Sequence, residues 1–213
     1  MAVPTVSILM CHPQETDDFL VYPFGTTDFS DNNIVGRGTM PNCSDTYVML
    51  HGGTIQGNVY GGGYAGSCNN TLVEVKGDAL LSNEAYNSAI FGGGRGDSEH
   101  LGFCASTHPH LGTVTGSTQV QLYSMHSDSK INKVYGGGDA GDAANTHVVL
   151  HNTMEHHFAQ MYGGCRAADV SGIATMELNG ILKEDFVNVD TVYGGNDIVG
   201  HVNTTHLTIN SGR

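Results

Sequence analysis

The chain has no tryptophan, 5 prolines, and 8 lysine and arginine residues together among 213. So little proline excludes collagen and proline-rich linkers. So little positive charge, set against 21 acidic residues, gives a formal net charge of −13. A surface of that sign repels nucleic-acid backbones and anionic headgroups, so neither nucleic acid nor direct membrane insertion is expected. No run approaches the ~20 apolar residues of a membrane span. The opening residues lack a basic stretch and hold only a short apolar run before Pro13, so a secretory signal is not seen in this segment. Also missing are Gly-x-Ser-x-Gly, His-Glu-x-x-His, a phosphate loop and a dinucleotide fingerprint.

Glycine is what the chain has in excess: 30 residues, about twice the usual share. Hydrophobic residues at 39% can fill one core, and the length fits a single domain. The 12 histidines outnumber lysine and arginine, so protonating them below about pH 6 cancels most of the negative charge.

The chain repeats itself. A polar, an aliphatic and an aromatic residue followed by two glycines occur as Asn58-Val59-Tyr60-Gly61-Gly62, Ala89-Ile90-Phe91-Gly92-Gly93, Lys133-Val134-Tyr135-Gly136-Gly137, Gln160-Met161-Tyr162-Gly163-Gly164 and Thr191-Val192-Tyr193-Gly194-Gly195. A looser copy surrounds Val35. Each is followed by a segment with alternating apolar residues, such as Thr71-Leu72-Val73-Glu74-Val75 or Thr118-Gln119-Val120-Gln121-Leu122. Period two and β-branching indicate strands. The aromatic positions 35, 60, 91, 135, 162 and 193 lie 25, 31, 44, 27 and 31 residues apart. Helical spacing is absent, and intervals of ~25–30 residues suit one turn of a β-solenoid.

The expected fold is therefore all-β, a parallel β-helix of about six coils with three short strands per coil. Residues 33–213 form the β-helix domain, and residues 1–32 supply irregular strands that cap or dock on it. From the third residue after the aromatic to the next Thr the step is 8 for Gly38 to Thr46, Gly63 to Thr71 and Gly138 to Thr146, but 24 for Gly94 to Thr118. An insertion loop near residues 98–114 follows, and loops on rigid scaffolds often carry binding.

Val-Tyr-Gly-Gly-Gly followed after a short corner by Thr-x-Val-x-Leu resembles the glycine-rich parallel β-helix repeats of large bacterial surface and secreted proteins, often adhesin-like. The resemblance covers roughly residues 33 to 213. It implies the architecture and an extracellular or cell-surface location, and it carries over no catalytic residue.

Winding turns each recurring position into a column. Val48, Val73, Val120, Val148, Met176 and Leu207 form one inward column, with Leu50, Val75, Leu122, Leu150, Leu178 and Ile209 beside it. Val59, Ile90, Val134, Met161 and Val192 face them. Tyr60, Phe91, Tyr135, Tyr162 and Tyr193 form an aromatic ladder that points outward or lies along the corner, as ring-on-ring packing or as a platform for sugar rings. Cys43 and Cys68 share a column, so a disulfide between them is expected in an oxidising compartment, and two stacked free thiols otherwise. Five cysteines leave at least one of Cys11, Cys104 and Cys165 outside an intramolecular pair.

Other candidates carry less. His147 and His206 share an outward column two coils apart, too far for one metal ion. His108, His110, His156 and His157 sit in loops without a third ligand at a diagnostic spacing. Gly-Asp corners make calcium a weak candidate at Asp139, Asp142 and Asp197, without the nonapeptide period of calcium β-rolls. Arg95-Gly96-Asp97 matches an integrin-binding triplet that arises often by chance. Asn42, Asn69 and Asn203 head glycosylation triplets relevant only to a eukaryotic secretory pathway.

These residues predict a non-catalytic structural or adhesive solenoid. It is expected to stack end to end on copies of itself, or to belong to a longer rod whose neighbouring repeats it contacts, and it requires no cofactor. The alternative is a carbohydrate-binding or carbohydrate-cleaving β-helix, with glycans as partners. Cleavage needs paired carboxylates ~5–9.5 Å apart, whereas Glu74 and Glu177 fall three coils apart in their column.

Overall fold

Alternating apolar residues make a strand with one buried face, and a glycine corner after each strand that ends in an aromatic residue turns the chain into the next coil. The computed structural model describes residues 43–64, 66–81, 88–96, 111–151, 157–179 and 188–210. These hold eleven strands: β1 (Cys43–Ile55), β2 (Val59–Tyr60), β3 (Cys68–Leu81), β4 (Ala89–Phe91), β5 (Val114–Leu122), β6 (Ile131–Tyr135), β7 (Ala143–Leu150), β8 (His157–Tyr162), β9 (Val170–Leu178), β10 (Asn188–Tyr193) and β11 (Val202–Ile209). Among the described residues there is no helix.

The strands form two parallel sheets, ordered β1-β3-β5-β7-β9-β11 and β10-β8-β6-β4-β2. Every second strand in the chain is a neighbour in space, and every pairing is parallel. The protein is a β-solenoid of about five turns. The third side of the coil is clearest at β1 and β3, where Gly52–Ile55 pairs with Asp78–Leu81 beyond a register shift. Thr54 and Ile55 continue β1 past that shift. Gly77 takes φ +70 at this bend, a left-handed conformation that a Cβ disfavours.

The expected columns are the observed registers. Val48, Val73, Val120, Val148, Met176 and Leu207 follow one another across the larger sheet, as do Leu50, Val75, Leu122, Leu150, Leu178 and Ile209. Val73, Val120, Val148 and Met176 are fully buried with Ile90, Val134 and Met161 of the smaller sheet. Burial of each such side chain contributes on the order of 1.5–3 kcal/mol. Val149, alternating outward, is nonetheless buried between its register neighbours Gln121 and Glu177.

Cys43 and Cys68 are register partners, but the expected bridge between them is absent. Cys68 is a free buried thiol, and Cys43 is disulfide-bonded without it. A shared register brings the two backbones side by side, but the Cys43 sulfur is already bonded to another cysteine, which leaves the Cys68 thiol unbridged. Cys165 is also free, and burial pushes its thiol up to about 12. Residues 1–32, the copy around Val35, Cys11, Cys104 and most of the insertion near 98–114 lie outside the described residues. Val114 itself opens β5.

Candidate functional site

The corner after the smaller sheet brings most of the recurring residues together. A Cβ built on Gly92 would stand 2.2 Å from the Gly136 carbonyl oxygen, and one on Gly136 equally close to that of Gly163. Glycine is required there so that the coils can stack. The inward carbonyls are met from across the interior: the Oγ1 hydroxyls of Thr46, Thr71, Thr118 and Thr146 donate to the carbonyls of Gly61, Gly92, Gly136 and Gly163. The next position in the Thr column is Ala174, which has no hydroxyl to offer Gly194.

Immediately before these glycines the aromatic ladder forms as expected. Successive rings of Tyr60, Phe91, Tyr135, Tyr162 and Tyr193 stack with centroids 4.7–5.0 Å apart and planes within 13°. Phe91, Tyr135 and Tyr162 are buried; Tyr193, at the end, is 44% exposed. The ladder is thus packed interior over most of its length, and its faces are covered by one another.

Four residues beyond each aromatic stands a second column: Tyr64, Arg95, Asp139, Arg166 and Asp197. Its backbone is paired from coil to coil. The charges alternate, so each ionic group has an opposite neighbour one coil away. The Arg95 guanidinium lies 4.8 Å from the Tyr64 ring centroid, and Arg166 bonds Asp139. The column also holds the ladder's hydroxyls: Tyr135 donates to Asp197 at 2.8 Å and Tyr60 to Asp139 at 3.4 Å, while Lys133 bonds Asp197 at 3.0 Å. Burial opposes ionisation of Asp197, but hydrogen bonds from Tyr135, Lys133 and Tyr162 outweigh it and hold the carboxyl below its usual range. Burial and Asp197 together raise the Tyr135 hydroxyl and push that of Tyr162 up to about 12.

The calcium candidates therefore already have protein partners. Asp139 and Asp197 hold cations of the chain itself, and Asp142 accepts from the Asp169 amide. Among the described residues no three metal-ligating side chains converge. Arg95 belongs to the charged column, while Asp97 of its triplet lies outside the described residues, as do His108, His110, His156 and Asn42. His157 opens β8. Asn69 and Asn203 are exposed on strands β3 and β11.

The outer face of the larger sheet is polar. Gln119, His147, Thr175 and His206 are successive register partners, so the two histidines are separated by a whole strand. His147 instead meets Glu177 at 3.3 Å. Nearby, His151 stacks on Tyr123 with centroids 4.0 Å apart and contacts Gln121 at 2.6 Å. Glu74 sits between His51 and Lys76, each at 2.8 Å, three strands from Glu177.

At the far end, β11 pairs with β9 on one side and, among the described residues, with nothing on the other. Tyr193, Ile198, Val199, Leu207 and Ile209 are all exposed there, Ile209 at 58%. In the preceding coil the matching Met176 and Leu178 are buried.

The ladder and the core columns are legible in the sequence. The charged column and the Thr-to-Gly bonds are not apparent from it, although both recur at fixed offsets from the aromatic and the strand. No match is found among protein-family models, curated proteins or solved structures.

Proposed function

We propose that this chain is a non-catalytic structural and adhesive solenoid of an extracellular or cell-surface assembly, extended at its β11 end by a second copy stacked head to tail. The observation that carries this reading is the open end. A sheet edge that pairs with no further strand among the described residues, with Leu207 and Ile209 exposed, is a template for another strand. Because the chain is built from repeats, a second copy offers the same chemistry as the next coil. Thr46, Val48 and Leu50 of β1 match Thr205, Leu207 and Ile209 in type and position. Head-to-tail contacts of this kind do not close and therefore give filaments.

The non-catalytic part rests on spacing. Glu74 and Glu177 stand three strand steps apart, about 14 Å, and cannot flank one glycosidic bond. The adhesive part and the location rest on the resemblance to glycine-rich β-helix repeats of bacterial surface proteins.

Sedimentation velocity and negative-stain microscopy over a concentration series test the assembly. Wild type should lengthen into rods as concentration rises, and a Leu207→Asp, Ile209→Asp variant should stay monomeric and folded by circular dichroism. Monomeric wild type throughout, or a variant that assembles equally well, contradicts the proposal.

A further inference from the structure

On the outer face of the larger sheet, opposite the inward side chains Leu207 and Ile209 of β11, the strands β5, β7, β9 and β11 line an open hollow of about 310 Å³. Its floor and walls include Gln119, His147, Thr175, Glu177, Ile173 and His206. That volume is at the lower end of small-ligand pockets. We propose that this hollow binds a neutral, hydroxyl-rich glycan segment. The inference rests on the adhesive side of the reading above and names its ligand class.

Three observations lead there. First, the hydrogen-bonding groups in the hollow are unspent. Among the described residues, the side chains of Gln119, Thr175 and His206 have no hydrogen-bond partner, and Glu177 is engaged at one oxygen by His147. Together they offer an amide, a hydroxyl, a carboxylate and imidazoles, which can donate and accept at once. Sugar hydroxyls need both from a surface that meets them.

Second, the backbone that carries these groups is fixed. Gln119, His147, Thr175 and His206 occupy one register line on four hydrogen-bonded strands. The row behind is fixed by Asn145, whose side-chain oxygen accepts from the Ile173 amide at 3.0 Å. A fixed backbone confines the entropy cost of binding to the side chains themselves. Ile173 adds an apolar contact, 40% exposed, suited to the C–H face of a sugar ring.

Third, the charge selects against acidic sugars. No lysine or arginine lines the hollow, whose ionisable groups are Glu177, His147 and His206. With the chain at −13, a uronate or sulfated glycan meets repulsion, and a neutral one does not.

The experiment is an NMR titration of the full 213-residue protein with neutral tri- and tetrasaccharides of glucose, mannose and N-acetylglucosamine, and with oligogalacturonate. At least one neutral oligosaccharide should bind at millimolar concentration or below and shift the amides of β5, β7 and β9. Gln119→Ala and Thr175→Val should each weaken that binding roughly tenfold, the loss of about one well-made hydrogen bond. Ser127→Ala, on an exposed turn elsewhere, should leave it unchanged. Failure of every neutral oligosaccharide, indifference to both hollow variants, or tighter binding of oligogalacturonate overturns the proposal. Repeating the titration on Leu207→Asp, Ile209→Asp protein separates the two readings, because that variant should lose assembly and keep binding.

Discussion

Thr118 carries a hydroxyl into an apolar interior and donates it to the Gly136 carbonyl, with both residues buried. Thr118→Val keeps the shape and removes the donor, so it should cost about 1–3 kcal/mol, read as a lower urea midpoint. The converse change is available two column positions further on. Ala174 occupies the site that Thr46, Thr71, Thr118 and Thr146 fill in the preceding coils. Ala174→Thr should therefore raise stability by about 1 kcal/mol, and an unchanged or lower midpoint would show that the fifth coil is built differently. Glycines divide as sharply. Gly92→Ala drives a methyl into the Gly136 carbonyl and should prevent folding, whereas Gly52→Ala, with nothing within 4 Å, should be tolerated. The recurrence of Thr is plain in the sequence, but its partner lies 15 to 21 residues downstream. Spacing identifies the strand without revealing that bond. The cysteine pair shows the same limit: its column is legible, but that the Cys43 sulfur bonds a cysteine other than Cys68 is not.

Among the elements, the ladder and its charged column form one unit, because Asp197 accepts the Tyr135 hydroxyl while Lys133 neutralises it. That coupling fixes the sign of the pH dependence. Asp197 is depressed in the folded state, so its contribution is present above its unfolded value, about 3.9, and is lost as pH falls through the folded one. His151 is depressed by burial against the opposing pull of Glu177 and Glu74; its contribution fades as pH drops below about 6.5. Tyr135 and Tyr162 are raised, so theirs is present below about 10 and lost at higher pH. Urea midpoints should peak between about pH 7 and 9 and fall on both sides. Glu74, held down chiefly by the Lys76 hydrogen bond, shares the acid limb; Asp197→Asn should flatten part of that limb, and an unaltered acid limb would remove Asp197 from this role. Ladder membership is readable from the aromatic period, but its burial is not, since stacked neighbours hide faces that a single repeat leaves open. The charged column escapes notice because its residue types alternate rather than repeat.

For the whole molecule, a net charge of −13 and an apolar open end act in opposite directions on association. Like-charged copies repel over a Debye length of about 30 Å at 0.01 M salt and about 8 Å at 0.15 M. Rod length should therefore increase with salt over that range, measured by sedimentation at fixed protein concentration. Rods that shorten with salt would mean that ion pairs, rather than Leu207 and Ile209, hold the ends. All of this presumes that recurring residues are vertical neighbours. Tyr47, Leu72, Gln119, His147, Thr175 and His206 occupy one outward line across six strands. Nitroxide labels at Leu72 and His206, then at Tyr47 and His206, with labelled protein diluted in unlabelled, measure that line by electron–electron resonance. The stack predicts narrow distances near 19 Å and near 24 Å, one strand spacing apart; two equal distances, or a broad spread in either, would contradict it.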